Sequence, residues 1–199
     1  MGSRREHRAA SGDHMSARLV VRSARAYIPA LDPAATLADV STRAIARALK
    51  VPRDRLFPVA LRDAVREMLS LIPVGAQLVP VPRASGCLAG NLLLAGAFAE
   101  HLSRCSVVPA LSRTFPVESS HLRRRRGRPG LDAAAHRASV TRTLPLDPNR
   151  PVVLVDNVVC AGGTGQGAAD ALGVTAAFLV TFAAAPVPAI ECRADQVAA

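Results

Sequence analysis

The stretch from Pro151 to Gly173, PVVLVDNVVCAGGTGQGAADALG, constrains this chain more than any other. Val152 to Val155 is a continuous apolar run rich in β-branched residues, which suits a strand buried on both faces, as in a parallel sheet. Asp156 and Asn157 stand where such a strand ends. The small residues Cys160, Ala161, Gly162, Gly163 and Thr164 follow as a loop. An alanine-rich helix is expected to begin near Thr164 and stop at Gly173. A small-residue loop entering a helix leaves backbone N–H groups unpaired and aligned, and with the helix dipole these form an anion pocket. Asp156 offers a carboxylate beside it, an acceptor for sugar hydroxyls. Phosphate and polyol together point to a phosphorylated sugar.

Two familiar nucleotide motifs fail at the same place. Gly163, Gly165 and Gly167 read G-x-G-x-G rather than the dinucleotide fingerprint G-x-G-x-x-G, and no lysine completes a P-loop. A plainer account is a buried strand, a tight turn and a helix whose glycines serve only packing.

The 199 residues suffice for one domain with a proper core. Half are hydrophobic, yet only 3% are aromatic and none is tryptophan. The core is therefore expected to be Ala, Val and Leu, and no platform for stacking bases is evident. No apolar run is long enough to span a membrane. The basic start lacks the apolar stretch of a signal peptide, and MGS to GDHM, within residues 1–16, reads as a disordered tail or expression scar. Cys87, Cys105, Cys160 and Cys192 form no C-x-x-C pair, so a reducing, cytoplasmic setting is expected. The net charge of +10 is almost all arginine, Lys50 being the only lysine. Arginine grips phosphate in a bidentate fork, but charge alone does not say which anion is the partner.

In chain order, Arg18–Tyr27 is expected as an edge strand. Thr36, with Asp39 three residues on, caps a helix carrying Leu37, Val40, Ala44, Ile45 and Ala48 on its apolar stripe. A second amphipathic helix over 59–71 presents Leu61, Val65, Met68, Leu69 and Ile72. Together these form a helical hood (17–75) laid against a core (76–183). Gln77–Pro82 reads as a strand with Arg83-Ala84-Ser85-Gly86 as its loop, followed by a helix over 87–102 burying Leu88, Leu92, Ala95, Ala99 and Leu102, then a strand over 106–111. Strand, helix and strand predict a parallel β-α-β unit. Residues 112–138, with Arg123, Arg124, Arg125 and Arg126 in a row, carry too much charge to be core. They read as a flexible lid, a binding loop or a solvated insert. Strands over 139–144 and 175–182 complete the reading. His101, His121 and His136 lack metal spacing and are expected at the surface.

The order of these features resembles type I phosphoribosyltransferases. Val79-Pro80-Val81-Pro82 and the loop after it lie where that family binds pyrophosphate, a long loop sits in the middle, and Leu154-Val155-Asp156 with the small-residue loop resembles the ribose-phosphate signature. Within the superfamily the chain is most similar to the ComF and amidophosphoribosyltransferase-like group, through Ala48-Leu49-Lys50, the VPVP strand, Asn91 and Arg137. It departs at Asn157, which replaces the second acid, at Ala161, which replaces a threonine, and in lacking a zinc ribbon and all but Gly90-Asn91 of an Arg-Gly-Phe-Asn-Gln run.

The resemblance implies an α/β fold with one Rossmann-like parallel sheet flanked by helices. It implies phosphoribosyl pyrophosphate, or another phosphorylated ribose, as ligand, with Mg²⁺ carried on it and no dedicated protein metal site. Asp156 and Asn157 would face the ribose hydroxyls. Cys160 through Thr164 would hold the 5′-phosphate, and Arg83, Ala84 and Ser85 the pyrophosphate. Asp156, Asn157 and Arg83 are the expected catalytic residues. Cys160 stands where 6-oxopurine enzymes place an acid, so no general base is identified. The acceptor, a homodimer, turnover as against mere binding, and a nucleic-acid role for the arginine loop of the ComF kind remain open at this stage.

Overall fold

The computed structural model describes residues 16–30, 32–119, 122–123, 126–160 and 162–185. Its centre is a five-stranded, wholly parallel sheet in the order β1-β7-β6-β2-β3. The strands are β1 (Arg18–Ala26), β2 (Gln77–Pro80), β3 (Ser106–Val107), β6 (Val152–Val159) and β7 (Ala176–Ala184). Antiparallel β4 (Leu111–Arg113) and β5 (Val140–Arg142) form a separate ribbon. The layout is compatible with a Rossmann-like fold.

Alternation along β6 explains how both faces are covered. Val153 and Val155 join one core with α1 (Leu37–Ala48), α2 (Phe57–Met68) and α3 (Ala89–His101). Val152 and Leu154 join the other, with α5 (Gly163–Leu172) and the ribbon. A short helix, α4 (Ala133–Ala138), packs on α5. Among the described residues no helix is long and apolar enough to cross a membrane.

Helix starts follow the sequence closely. Thr36 accepts from the Asp39 amide, and the Asp39 carboxylate accepts from the Thr36 N–H at 2.7 Å, a reciprocal capping box. Gly173, at φ 68°, closes α5.

The face expected of α2 is buried, with Val65 and Met68 in the core, but those of α1 and α3 differ in part from expectation. On α1 the expected Leu37 and Val40 are 87% and 51% exposed, while Ala48 is buried as expected, together with Thr42 and Ala46. On α3 Leu92 is exposed, and Leu94 and Phe98 are buried instead. Small residues let backbones approach, and polar contacts then fix each helix's rotation. Arg25 donates to Thr42 Oγ1 (3.2 Å) and forms a two-pronged pair with Glu67 of α2 (2.6 and 2.7 Å). In α3 a Cβ on Gly90 would lie 2.2 Å from the Leu49 carbonyl oxygen, so only glycine admits that approach.

Three further expectations change. The strand that opens the 17–75 hood belongs to the main sheet, pairing in register Val21↔Leu179 with β7. The strand expected over 106–111 divides at Pro109 into β3 and β4, because proline cannot donate to a ladder. The excursion 112–138, expected to carry too much charge to be core, is buried at both ends. Arg113 is 9% exposed and His136 only 3%, because β4 pairs with β5 and α4 lies against α5. Residues 1–15, His121, Arg124, Arg125, Ala161 and Cys192 lie outside the described residues.

Candidate functional site

The helix after β2 returns on one face of the sheet and the helix after β6 on the other. Adjacent parallel strands whose connections diverge leave a crevice at their carboxyl ends, where open α/β sheets bind ligands. A cleft of about 580 Å³ opens there. Of the residues singled out from sequence, Arg83, Ala84, Ser85, Asp156, Asn157, Cys160, Gly162, Gly163 and Thr164 line it.

On the β2 side the chain turns sharply after Pro82. The Arg83 N–H donates to the Cys87 carbonyl (3.1 Å) and the Gly86 N–H to that of Arg83 (2.8 Å). The Ala84 and Ser85 N–H groups donate to no described residue, and both residues line the cleft. Arg83 is anchored by donating from Nη1 to the Lys50 carbonyl (2.8 Å).

On the β6 side Asp156 Oδ1 accepts from Asn91 Nδ2 (3.0 Å) and from the Asn157 N–H (2.8 Å). Oδ2 takes no donor from the described residues. Burial raises the Asp156 carboxyl above its ordinary value, against the opposing pull of those two donors and of the Lys50 and Arg83 charges. Asn91 also donates to the Val81 carbonyl (2.8 Å), so one buried amide ties together the ends of β2 and β6. Asn157 lines the cleft and also makes a contact away from it. Its Nδ2 donates to the Ala46 carbonyl (2.8 Å), filling an acceptor at the end of α1 that no backbone N–H reaches.

Gly162 enters α5 at φ 74°, a left-handed conformation that favours glycine, and no side chain caps the helix. The Gly163 and Thr164 N–H groups have no described acceptor, and both residues line the cleft. The other glycines have packing roles. A Cβ on Gly165 would lie 2.3 Å from Leu179 Cδ2, and one on Gly167 would lie 2.7 Å from the Ala133 oxygen.

Two further residues complete the floor: Arg113, which sequence reading passed over, and His136, expected at the surface but buried here. Arg113 has no carboxylate partner among the described residues. It donates to the Arg83 carbonyl (2.9 Å), the Pro82 carbonyl (3.3 Å) and Ser139 Oγ. Burial lowers its pKa from the ordinary value, but a guanidinium stays charged. His136 Nε2 lies 3.2 Å from Thr164 Oγ1. Its pKa is lowered by burial and by Arg113, with Asp132 opposing. The available signals were faint: an arginine two residues from a strand start, and a histidine after an Asp N-cap inside a segment that reads as loop.

At the rim, Glu118 holds three loop arginines: Arg126 (2.7 Å), Arg128 and Arg123 (3.8 Å). No protein-family model and no curated protein matches this chain.

Proposed function

We propose that this chain binds phosphoribosyl pyrophosphate across the crevice between β2 and β6 and transfers its phosphoribosyl group to a nitrogenous acceptor, with the sheet and helices serving as a type I phosphoribosyltransferase fold. One observation carries the reading. Two sets of backbone donors without described acceptors, Ala84–Ser85 and Gly163–Thr164, lie in one cleft with the Asp156 carboxylate, at the switch point of a parallel sheet. That spacing of anion, polyol and anion sites suits a sugar phosphorylated at both ends.

In this reading Asp156 Oδ2 takes the ribose hydroxyls. The α5 N-terminus takes the 5′-phosphate, and Arg83 with the Ala84 and Ser85 amides takes the pyrophosphate. Cleavage at the anomeric carbon leaves negative charge on pyrophosphate, so fixed donors at the 83–85 loop lower the barrier by meeting charge as it develops. Buried Arg113, bonded to the carbonyls of Pro82 and Arg83, holds that loop in place and adds positive potential beneath it. The donor set fits Mg²⁺, a hard cation that prefers oxygen and keeps several waters, since Asp156 offers a free carboxylate oxygen. When bound, Mg²⁺ neutralises pyrophosphate charge.

A second reading, binding without turnover, is favoured by Asn157. Its amide nitrogen is committed to α1, and it offers no negative charge to the sugar. Calorimetry with phosphoribosyl pyrophosphate, ribose 5-phosphate and pyrophosphate, each with and without Mg²⁺, tests the site. Pyrophosphate release in the presence of candidate bases separates the two readings. Absence of binding by all three ligands overturns both.

A further inference from the structure

Gly163 and Gly167 lie on the side of α5 that receives the chain around α4. A Cβ at Gly163 would stand 2.9 Å from the Leu131 oxygen, and one at Gly167 would stand 2.7 Å from the Ala133 oxygen, the Arg137 nitrogen and His136 Cβ. What this close approach delivers is one side chain, His136, 3% exposed, with Nε2 at 3.2 Å from the Thr164 hydroxyl. Nδ1 is buried and has no partner among the described residues.

We propose that His136 is a positioning residue for the sugar phosphate: its Nε2–H donates to Thr164 Oγ1, leaving the threonine proton free to donate to the anion at the N-terminus of α5. This rests on the phosphate site proposed above and adds the residue that orders it. The tautomer follows from burial. A buried N–H without an acceptor is rarer than a buried acceptor without a donor, so the proton belongs on Nε2 rather than on the isolated Nδ1. The ring is neutral, because burial and the Arg113 charge outweigh Asp132. Neutrality leaves one N–H, and Thr164 is its only described partner. The hydroxyl, thus engaged as an acceptor, directs its own hydrogen elsewhere. Thr164 lines the cleft, and the hydroxyl makes no other hydrogen bond within the described residues. The helix end then offers the phosphate one oriented O–H in addition to its amides.

Ribose 5-phosphate and inorganic pyrophosphate probe the two ends of the cleft separately by calorimetry. His136→Leu should weaken ribose 5-phosphate by about tenfold, the effect of one hydrogen bond, and leave pyrophosphate unchanged. His136→Gln, which retains a donor near the Nε2 position, should restore most of the affinity. In a Thr164→Val background, His136→Leu should cause no further loss. Equal weakening of both ligands, or additive losses in the double variant, would mean that His136 only supports the fold and would overturn the proposal. If His136→Leu does not fold, the comparison of His136→Gln with Thr164→Val decides alone: Gln no better than Val overturns it. Wild type that binds no ribose 5-phosphate refutes the phosphate site and this role together. Wild type that binds it, with His136→Leu binding equally well, refutes this role only.

Discussion

Replacing Asn157 by aspartate separates two roles for one position. In the resemblance, an acid here supplies charge to the sugar, so Asn157→Asp should improve turnover. In the structure Asn157 is 4% exposed and donates from Nδ2 to the Ala46 carbonyl at 2.8 Å, near the negative end of α1. An ionised carboxylate cannot donate. The exchange removes one hydrogen bond, net about 0.5–1.5 kcal/mol, and leaves the carbonyl without a donor, about 1–3 kcal/mol. It also sets a negative charge against a helix C-terminus, about 0.3–1 kcal/mol. These overlap, and a total loss of about 2–4 kcal/mol is expected. The sign with pH follows from protonation. A neutral carboxyl can donate to Ala46, so the folded state raises the pKa of the introduced group. The penalty is absent below its unfolded pKa, grows as pH rises, and is complete above the folded pKa. Urea unfolding at pH 8 and pH 5 checks this: the deficit should be full at the higher pH and smaller at the lower. A variant as stable as wild type at pH 8, or a deficit independent of pH, would refute the assigned contact.

Asp156→Asn should do the reverse. Its raised carboxyl pKa means that ionisation opposes folding increasingly as pH rises from the unfolded pKa to the folded one, so the variant should be more stable than wild type at pH 8, with the gain vanishing below about pH 4. Its affinity for ribose 5-phosphate should fall by about 1.5–3 kcal/mol, and calorimetry that finds no loss would remove Asp156 from the site. Gly167→Ala should destabilise by about 1–3 kcal/mol despite better helix propensity, because backbone atoms stand in the way. Gly165→Ala, which meets the end of a leucine side chain, should cost less, and thermal melts in which the two rank the other way would contradict the packing. Glu118→Ala should release Arg123, Arg126 and Arg128, raising trypsin cleavage of the unliganded loop by roughly fivefold, the effect of about 1 kcal/mol of ion pairing. Unchanged cleavage would show that these pairs do not hold it.

Signals that act between near neighbours were legible in the chain. Thr36 and Asp39 cap α1, Gly173 ends α5, the apolar run Val152–Val155 lies in a parallel strand, and the strand expected over 175–182 is found as Ala176–Ala184, because capping, termination and strand burial depend on local backbone geometry. Helix rotation was legible on α2, where Val65 and Met68 are buried as expected, but not on α3. On α3 nearly every position is apolar, so periodicity could not choose between Leu92 and Leu94. The Gly90 approach to Leu49 and the Asn91 bond to Asp156 made that choice. The residue types for an anion and polyol site were present by themselves: Asp156, a small-residue loop and a helix start, with Arg83-Ala84-Ser85 some seventy positions earlier. Only tertiary structure put the two loops on one cleft, bonded the Asn157 amide to α1, and set Arg113 and His136 in the cleft lining. Those outcomes rest on contacts between residues far apart in sequence, such as Asn157 with Ala46 and Arg113 with Arg83, whose geometry exists only once the sheet has assembled.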